Sequence, residues 1–449
     1  MSEGEATVFV CHNVDTEGPL YESLDATFER LNQILNLDLD PTRENLKLLR
    51  DGLIDTNIST SQIENLIGKD RIPSNIHWGD ILNQLDILSN TNFRKKYTDS
   101  CNEPYRFNWF IMDNIGYAGE NPRRRSLGHH VIYDQYKSKL NQSDWNDGIY
   151  WHYHPIAPIV DAHRSGTTYI NDPGLWESLA RKIIDRNYFP SAFRPGFVTE
   201  RPDSHWFLEQ WIPFDFGNDC GKYDREYSDN KGRFGSWENA PDSWIPYNPS
   251  YRDYTKIGDC SRYISKCLPI NARAYSLSKD DVIQAFQEAK THGSSLLAYY
   301  DHDFRNIANN VDRVYRLITE VESMFPNVKF KFCSSVEAMR KTLHISASHP
   351  KISLDIQQIE NGDKKILVVT CENDIFGSQP YLSLKTFGGQ YYWQNFDFQD
   401  GYWSYTFDFH TIKYDAIEKI GIAANSNGGG TSIIVYDTNS KAYEFTTLN

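Results

Sequence analysis

Short apolar runs alternate with helix-period segments along the first 345 residues, and this alternation limits the possible folds more than any other feature. Ala6–Cys11 (ATVFVC) is one such run, and in Glu22–Asn36 the apolar residues recur at helical spacing. Runs of this kind are typical of strands that are buried on both faces, as in parallel sheets covered by helices. The pattern therefore predicts an α/β protein with a parallel sheet or barrel.

Eight runs in this region are predicted strands, and two long insertions interrupt the series. The predicted strands are Ala6–Cys11, Arg106–Met112, Gly148–Tyr153, Ser191–Phe197, Pro213–Phe216, Tyr263–Leu268, Ser295–Tyr300 and Val328–Phe332. Between the first two, residues 20–100 carry several helical segments, including Trp78–Leu88. Residues 217–260 are rich in Gly, Asp, Asn, Trp and Tyr, and we interpret them as a long ordered loop.

The pattern changes after His349, where short runs bounded by turn residues replace the helical segments. These runs are Ile352–Ile359, Lys365–Cys371, Tyr381–Phe387, Tyr391–Phe398, Tyr402–Phe409, Ile417–Ala423 and Thr431–Tyr436. Strands at roughly 10-residue spacing predict a small antiparallel β-sandwich. We therefore expect two domains, a barrel at residues 1–345 and an accessory all-β sandwich at residues 346–449.

The charge balance excludes some classes of partner. The chain has 46 Lys and Arg against 60 Asp and Glu, a formal net charge of −14. An acidic surface repels phosphate groups, so we expect no nucleic-acid partner and no membrane insertion. The start, MSEGEATVFV, lacks the features of a signal peptide, and the seven cysteines contain no C-x-x-C pair. Reduced thiols and a cytoplasmic location are therefore expected.

Polar side chains cluster at the ends of four predicted strands, where a barrel carries its catalytic residues. They are Asp15 and Glu17 at the first strand, His152 and His154 at the third, Arg194 at the fourth, and Asp301, His302 and Asp303 at the strand Ser295–Tyr300. Residues two apart in an extended segment face the same side, so the two acids form one pair and the two imidazoles another. Imidazole and carboxylate groups are common metal ligands.

Each motif also has an ordinary structural explanation. The Asp15-x-Glu17 pair suits a turn or a helix cap, and His152-x-His154 is compatible with two unrelated histidines. Arg194 alone suits a structural salt bridge, and residues 301–303 suit a loop with local hydrogen bonds. Taken together, in this order and at these strand ends, the motifs favour one common site.

In this order the motifs resemble the polysaccharide deacetylase (NodB-like, carbohydrate esterase family four) superfamily. The matching residues, spread over about residues 5–343, are Asp15 and Glu17 in a D-x-E variant, His152 and His154, Arg194-Pro195-Gly196, Asp215 in PFDFG, and His302 in YYDHDFR. The resemblance implies a distorted (β/α)7 barrel of the glycoside hydrolase/deacetylase type. It also implies one divalent metal ion per chain, usually zinc.

The family's chemistry implies a role for each matching residue. Glu17, His152 and His154 would hold the metal ion, Asp15 would act as base, and Arg194 would orient Asp15. The acid would be His302, with Asp301 or Asp303 fixing its tautomer. The reaction would be hydrolysis of an N-acyl group, acetyl or another small acyl group, on a sugar or glycan precursor.

Two departures from the family pattern leave part of this assignment open. The family spaces its two metal histidines four residues apart, and here Ile156 occupies that place, so His154 is the expected substitute. The first motif usually has adjacent aspartates, so the choice between Asp15 and Glu17 as metal ligand stays open. The chain looks closer to divergent members that modify lipopolysaccharide or O-antigen than to secreted chitin deacetylases.

Substrate contacts are expected from aromatic residues and from two further acids. Trp237 and Trp244 lie in the polar insertion and are the candidates for a sugar-stacking rim, although aromatic residues are also ordinary core residues. Asp215 and Asp303 are the further substrate-binding candidates.

Two other functions remain open from the sequence. The first is a different metal hydrolase, an amidohydrolase or a PHP-type phosphoesterase, but those folds carry H-x-H on their first strand. The second is a catalytically degraded barrel that binds glycans. The sequence does not identify the sugar or the oligomeric state.

Overall fold

The computed structural model describes residues 6–56, 59–68, 74–113, 130–143, 145–155, 166, 168–221, 235–270, 276–359 and 364–448. Within these residues a parallel barrel surrounded by helices precedes two antiparallel sheets. The α/β barrel and the all-β region that the sequence predicts are therefore confirmed, whereas a barrel of the deacetylase type stays a prediction.

Ten strands belong to the first part of the chain. They are β1 (Ala6–Thr16), β2 (Phe107–Asp113), β3 (Gly148–Tyr153), β4 (Ala192–Pro195), β5 (Phe214–Asn218), β6 (Pro249–Ser250), β7 (Asp253–Ile257), β8 (Tyr263–Pro269), β9 (Ser294–His302) and β10 (Val328–Phe332). Seven of them close a parallel barrel in the order β1-β2-β3-β4-β5-β8-β9, with β9 pairing back onto β1. β10 pairs with the N-terminal half of β1, and β6 and β7 form a separate hairpin.

Eleven helices of the described chain accompany these strands. They are α1 (Leu24–Leu35), α2 (Arg43–Arg50), α3 (Thr60–Ile67), α4 (Trp78–Ser89), α5 (Thr91–Lys96), α6 (Val131–Leu140), α7 (Pro173–Arg186), α8 (Pro202–Trp211), α9 (Lys279–His292), α10 (Ile307–Glu322) and α11 (Ser335–Leu343). The first three form a small core of their own from Phe28, Leu31, Leu49, Ile63, Leu66 and Ile67. The insertion at residues 20–100 is therefore helical. None of the described helices combines the length and the apolar character needed to cross a bilayer.

The strand register brings the predicted site residues to one end of the barrel. Asp15 on β1 lies directly opposite His302 on β9, and His152 on β3 lies directly opposite Arg194 on β4. β1 and β9 run farther than predicted, so Asp15 and His302 lie in strands rather than after them. The backbone pairing between these two strands continues through the polar residues, which the apolar pattern alone does not show.

The C-terminal region has nine strands in two sheets. They are β11 (Ile352–Gln358), β12 (Lys365–Cys371), β13 (Tyr381–Thr386), β14 (Tyr391–Gln394), β15 (Asp397–Gln399), β16 (Tyr402–Phe407), β17 (Ile417–Asn425), β18 (Thr431–Asp437) and β19 (Tyr443–Leu448). The sheet orders are β11-β12-β16-β15 and β14-β13-β17-β18-β19, and side chains from both sheets share one hydrophobic core.

One predicted strand of this region is wrong, and one strand was not predicted. The single predicted strand Tyr391–Phe398 is two strands, because the chain leaves β14 in one sheet and enters β15 in the other. The other difference is β19, which has no counterpart among the predicted strands. This strand lies at a sheet edge and four of its six residues are exposed, so it lacks the apolar run that marks a buried strand.

The β-sandwich packs on the barrel through an aromatic contact with α7. The Trp176 indole stacks on Trp393 with ring centroids 4.0 Å apart, and the Tyr381 hydroxyl donates a hydrogen bond to the Trp176 carbonyl (3.0 Å). Tyr381 is fully buried in a hydrophobic cluster that contains residues of both parts. The two parts therefore share core residues, and the boundary near residue 346 stays a prediction.

We expect Tyr381→Ala to lower the free energy of unfolding by about 3–5 kcal/mol, because it leaves a cavity in this shared cluster. Urea denaturation of the full chain measures the loss. Tyr392→Ala, on the neighbouring strand of the same sheet but exposed, is the control and should cost much less. Equal losses for the two variants would contradict a shared core.

A buried histidine inside the barrel makes stability dependent on pH. His12 on β1 is fully buried, and its Nδ1 lies 2.9 Å from the Tyr105 hydroxyl. Burial, with a smaller contribution from Arg94, lowers the pKa of His12 to about 3. The unfolded chain therefore binds a proton below about pH 6.5 that the folded chain does not bind.

Stability should consequently fall as pH drops from about 6.5 toward 3, and His12 should have no such effect above about pH 7. His12→Asn, compared with wild type in the presence of chelator, should reduce the loss between pH 6.5 and 5 by about 2 kcal/mol. Exposed His292→Asn is the control. Urea titrations at these pH values measure the free energy of unfolding. If its change with pH is the same in His12→Asn as in wild type, His12 is not the group responsible.

Candidate metal centre

Three potential ligand atoms converge where β1 and β3 end. His152 Nε2 lies 2.9 Å from His154 Nε2, and Glu17 Oε1 lies 3.4 Å from His154 Nε2 and 3.9 Å from His152 Nε2. Tetrahedral ligands of zinc are separated by about 3.3 Å, a value that these three distances bracket. In the described part of the chain, one cluster of three or more His, Cys, Asp or Glu side chains has its potential ligand atoms this close together, and it consists of Glu17, His152 and His154. We call these three residues the metal group. The residues present therefore fit a single metal ion.

A backbone contact fixes the tautomer of His152 that a metal ligand needs. Its Nδ1 lies 3.0 Å from the Arg194 carbonyl oxygen, which can only accept, so Nδ1 carries the proton and Nε2 presents its lone pair. Burial lowers the pKa of His152 to about 4, although Asp15 and Glu17 act in the opposite direction. The imidazole is therefore neutral at pH 7, as a ligand must be.

Asp15 is held by an arginine rather than placed among these ligands. The Arg194 guanidinium donates from Nε (2.7 Å) and Nη2 (3.0 Å) to the two oxygens of the Asp15 carboxylate, and both side chains are buried. Burial alone would raise the pKa of Asp15, but Arg194, with smaller contributions from His152 and His302, holds that pKa below its usual range. Asp15 is thus an ionised carboxylate in a fixed orientation, which leaves Glu17 as the acid of the metal group.

Tyr300 completes the support of this ion pair and was not among the site residues predicted from the sequence. The Arg194 Cζ lies 4.0 Å from the Tyr300 ring centroid, so the aromatic face covers the guanidinium. Arg194 Nη1 also donates to the Phe216 carbonyl (2.7 Å). Tyr300 precedes His302 by two residues on β9, so the two side chains lie on the same face of the strand. This two-residue spacing could have identified Tyr300 as a site residue from the sequence.

His302 borders the group from the opposite strand. Its Nε2 lies 3.9 Å from Glu17 Oε1, and 23 % of its side chain is exposed. Burial lowers the pKa of His302 to about 4, with Glu17 and Asp15 opposing. The tautomer-fixing hydrogen bond expected from Asp301 or Asp303 is not formed in the described chain, where His302 Nδ1 is a buried atom without a hydrogen-bond partner.

Asp303 contacts the backbone beside Glu17 instead. Its carboxylate accepts hydrogen bonds from the amides of Glu17 (3.0 Å) and Gly18 (2.9 Å) and from the Tyr136 hydroxyl (2.9 Å). Asp303 is fully buried. The expectation that it contacts substrate is corrected accordingly: its carboxylate holds the segment that carries Glu17.

Asp215 also lies in a different environment from the one expected. It is fully buried, with Oδ2 3.7 Å from Arg262 Nη1, and Arg262 Nη2 donates to Glu200 (2.8 Å). Burial and the neighbouring Glu200 raise the pKa of Asp215 well above its usual range. These contacts belong to a buried charged cluster, and they do not connect Asp215 to the metal group.

The prediction that the two tryptophans of the insertion form an exposed sugar-stacking rim is wrong. Trp237 is 2 % exposed and Trp244 is 1 % exposed, because both indoles pack into the hydrophobic core of the barrel. The polar composition of the surrounding loop suggested exposure but does not prevent single aromatic side chains from docking inward. Trp206 on α8 is 44 % exposed and stacks on Tyr251.

Comparisons with known proteins add no assignment. No family model matches the chain, and no curated protein matches it.

We predict that Asp303→Asn weakens metal binding by about 10–100-fold, because an amide cannot accept from all three donors and the Glu17 segment loses its support. Competition with a chromogenic chelator measures the affinity. Asp301→Asn is the matched control, since Asp301 is equally buried but accepts from the His302 amide and Asn310. Affinities within about twofold of wild type in both variants would contradict this support.

Proposed function

We propose that this chain is a metal-dependent hydrolase that removes an N-acyl group, most simply acetyl, from a sugar or glycan precursor. The observation that carries the proposal is the buried Asp15 carboxylate, held by two hydrogen bonds from Arg194 beside the Glu17, His152 and His154 group. A fixed ionised acid next to a metal group suits general-base catalysis of hydrolysis.

The order of the motifs supports membership of the polysaccharide deacetylase superfamily. Asp15 and Glu17, the H-x-H pair, Arg194 and His302 occur in the family's order, and they lie together at one end of a parallel barrel. Two imidazoles and one carboxylate are also a ligand set that zinc uses in hydrolases. We therefore propose one zinc ion per chain, held by Glu17, His152 and His154.

In the proposed reaction the chain's own residues hold and move the proton. A bound zinc ion supplies a Lewis acid that lowers the pKa of water and polarises the acyl carbonyl. Asp15 accepts the proton of the attacking water, and Arg194 keeps Asp15 ionised until then. His302, neutral at pH 7 because burial lowers its pKa to about 4, takes up that proton from Asp15 and passes it to the nitrogen of the departing amine, so that Asp15 is ionised again at the end of the reaction.

The structure contains features that bear on the alternatives. A two-metal hydrolase needs a second set of ligands, and the described residues contain one group. The H-x-H pair lies at the end of β3, with His152 on the strand and His154 directly after it, rather than on the first strand, which also disfavours the amidohydrolase and phosphoesterase alternatives. The remaining alternative is a barrel that binds glycans without catalysis. Activity assays distinguish it from the proposed hydrolase. We also propose that the protein acts in the cytoplasm and that its substrate is a glycan precursor.

We predict that chelator abolishes release of acetate from N-acetylated oligosaccharides and that added zinc restores it. Asp15→Asn and His302→Gln should each lower kcat by about 10²–10⁴-fold while the metal content stays unchanged, because each removes one proton-transfer group. Acetate and free-amine assays on the purified full chain measure this effect.

Asp15→Asn also leaves the Arg194 charge buried without its partner, which is expected to destabilise the fold by about 3–5 kcal/mol. His302→Gln is therefore the more informative variant, since His302 is partly exposed. Glycan binding with no hydrolysis in the wild-type protein would favour the non-catalytic alternative, and full activity in His302→Gln would remove His302 from the mechanism.

A further inference from the structure

A strained turn follows β4 directly and contacts one of the proposed metal ligands. Phe197 and Val198 have φ angles of 54° and 44°, in the left-handed region that residues with a Cβ rarely adopt. For valine, which is branched at Cβ, this conformation is unfavourable. Such strain persists only where surrounding contacts enforce it, and it concentrates at functional sites.

Several hydrogen bonds enforce this conformation. The Trp237 indole Nε1–H donates to the Val198 carbonyl (2.7 Å), and the Thr199 amide donates to the Gly196 carbonyl (3.0 Å). The Thr199 hydroxyl donates to the Phe197 carbonyl (3.1 Å). Trp237, which the sequence suggested as a substrate contact, is therefore a buried support of the turn.

The turn packs directly on the imidazole of His154. The Phe197 ring meets it edge to face, with centroids 4.7 Å apart at 77°. Gly196 lies so close that a Cβ added there would approach His154 Cγ to 2.4 Å and Nδ1 to 2.7 Å. Glycine is the residue that this contact tolerates.

The two histidines of the metal group are held in different ways. The Arg194 carbonyl fixes His152 through Nδ1, the usual arrangement for a metal-binding histidine. His154 Nδ1 is buried and has no hydrogen-bond partner in the part of the chain that the structure describes. On its Nδ1 side the His154 ring is therefore positioned by packing rather than by a hydrogen bond, and the strained turn provides that packing.

We propose that residues 196–198 form a positioning element that holds His154 in the orientation for metal binding, with Trp237 keeping the turn strained. This inference rests on the proposed metal site and names residues that do not bind the metal themselves. It predicts that small changes in the turn alter metal affinity while leaving the fold intact.

The first test uses Gly196→Ala. The backbone at Gly196 is outside the left-handed region, and the three atoms nearest to the added methyl group all belong to the His154 ring, so the substitution acts first on His154. We expect zinc affinity, measured by competition with a chromogenic chelator, to fall at least tenfold because the His154 ring is displaced, while the metal-free protein still folds cooperatively with a Tm lowered by the overpacking. Gly79→Ala is the matched control, because a Cβ there meets nothing within 4 Å.

The second test uses Phe197→Gly. A turn that positions His154 and a turn that only stabilises the fold predict different results for this variant. Glycine adopts a positive φ without strain but removes the ring that packs on His154. The proposal predicts weaker zinc affinity together with an unchanged or higher Tm of the metal-free protein. A turn with only a structural role predicts unchanged affinity. The absorption spectrum of the cobalt-substituted protein should also change in this variant and not in Gly79→Ala.

The outcomes separate this inference from the proposed function. If the wild-type protein binds one zinc ion without hydrolysing N-acyl sugars, and the two turn variants bind zinc more weakly, the inference holds and the proposed activity fails. Wild-type affinity in both variants overturns the inference alone. A wild-type protein that binds no divalent ion overturns both.

Discussion

The buried ion pair between Arg194 and Asp15 organises the end of the barrel where the candidate site lies. It joins β4 to β1 across the barrel, and the same guanidinium reaches the Phe216 carbonyl on β5 and lies over the Tyr300 ring on β9. A buried pair of this kind is destabilised by about 3–5 kcal/mol when one partner is lost, because the remaining charge is uncompensated. Four strands are thus tied together by one arginine.

The backbone of Arg194 extends this constraint to the metal group. Its carbonyl accepts from His152 Nδ1, so one residue orients both the ionised carboxylate of Asp15 and the lone pair of His152. Glu17 and His154 depend on other supports, the Asp303 carboxylate and the strained turn at residues 196–198. The proposed ligands are therefore held by three separate sets of contacts: a backbone carbonyl for His152, a carboxylate for the Glu17 segment and packing for His154.

Much of the barrel was predictable because its strands are buried on both faces. β3 has the boundaries that its apolar run predicted, Gly148–Tyr153. β10, which pairs on β1 outside the closed barrel and alternates between buried and half-buried residues, also has its predicted boundaries, Val328–Phe332. The site's residues were also recognisable, since period-two spacing at strand ends places side chains on one face. The edge strand β19, with mostly exposed residues, carries no such pattern.

The supporting contacts were not predictable, because they join residues far apart in the sequence or depend on backbone conformation. Asp303 and the Glu17 amide are 286 residues apart, and no local pattern records their hydrogen bond. Trp237 and Trp244 looked like surface residues because their neighbours are polar, yet both pack inward. The positive φ angles at Phe197 and Val198 likewise have no sequence signature, since neither residue favours that conformation.

Anomalous diffraction at the zinc edge from crystals of the zinc-loaded protein tests the central claim most directly. The account predicts one ion per chain, with His152 Nε2, His154 Nε2 and a Glu17 oxygen each about 2.0–2.2 Å from it, and with Asp15 still paired to Arg194. Two ions, an ion bound elsewhere, or an ion that lacks Glu17 or either histidine as a ligand would contradict the account.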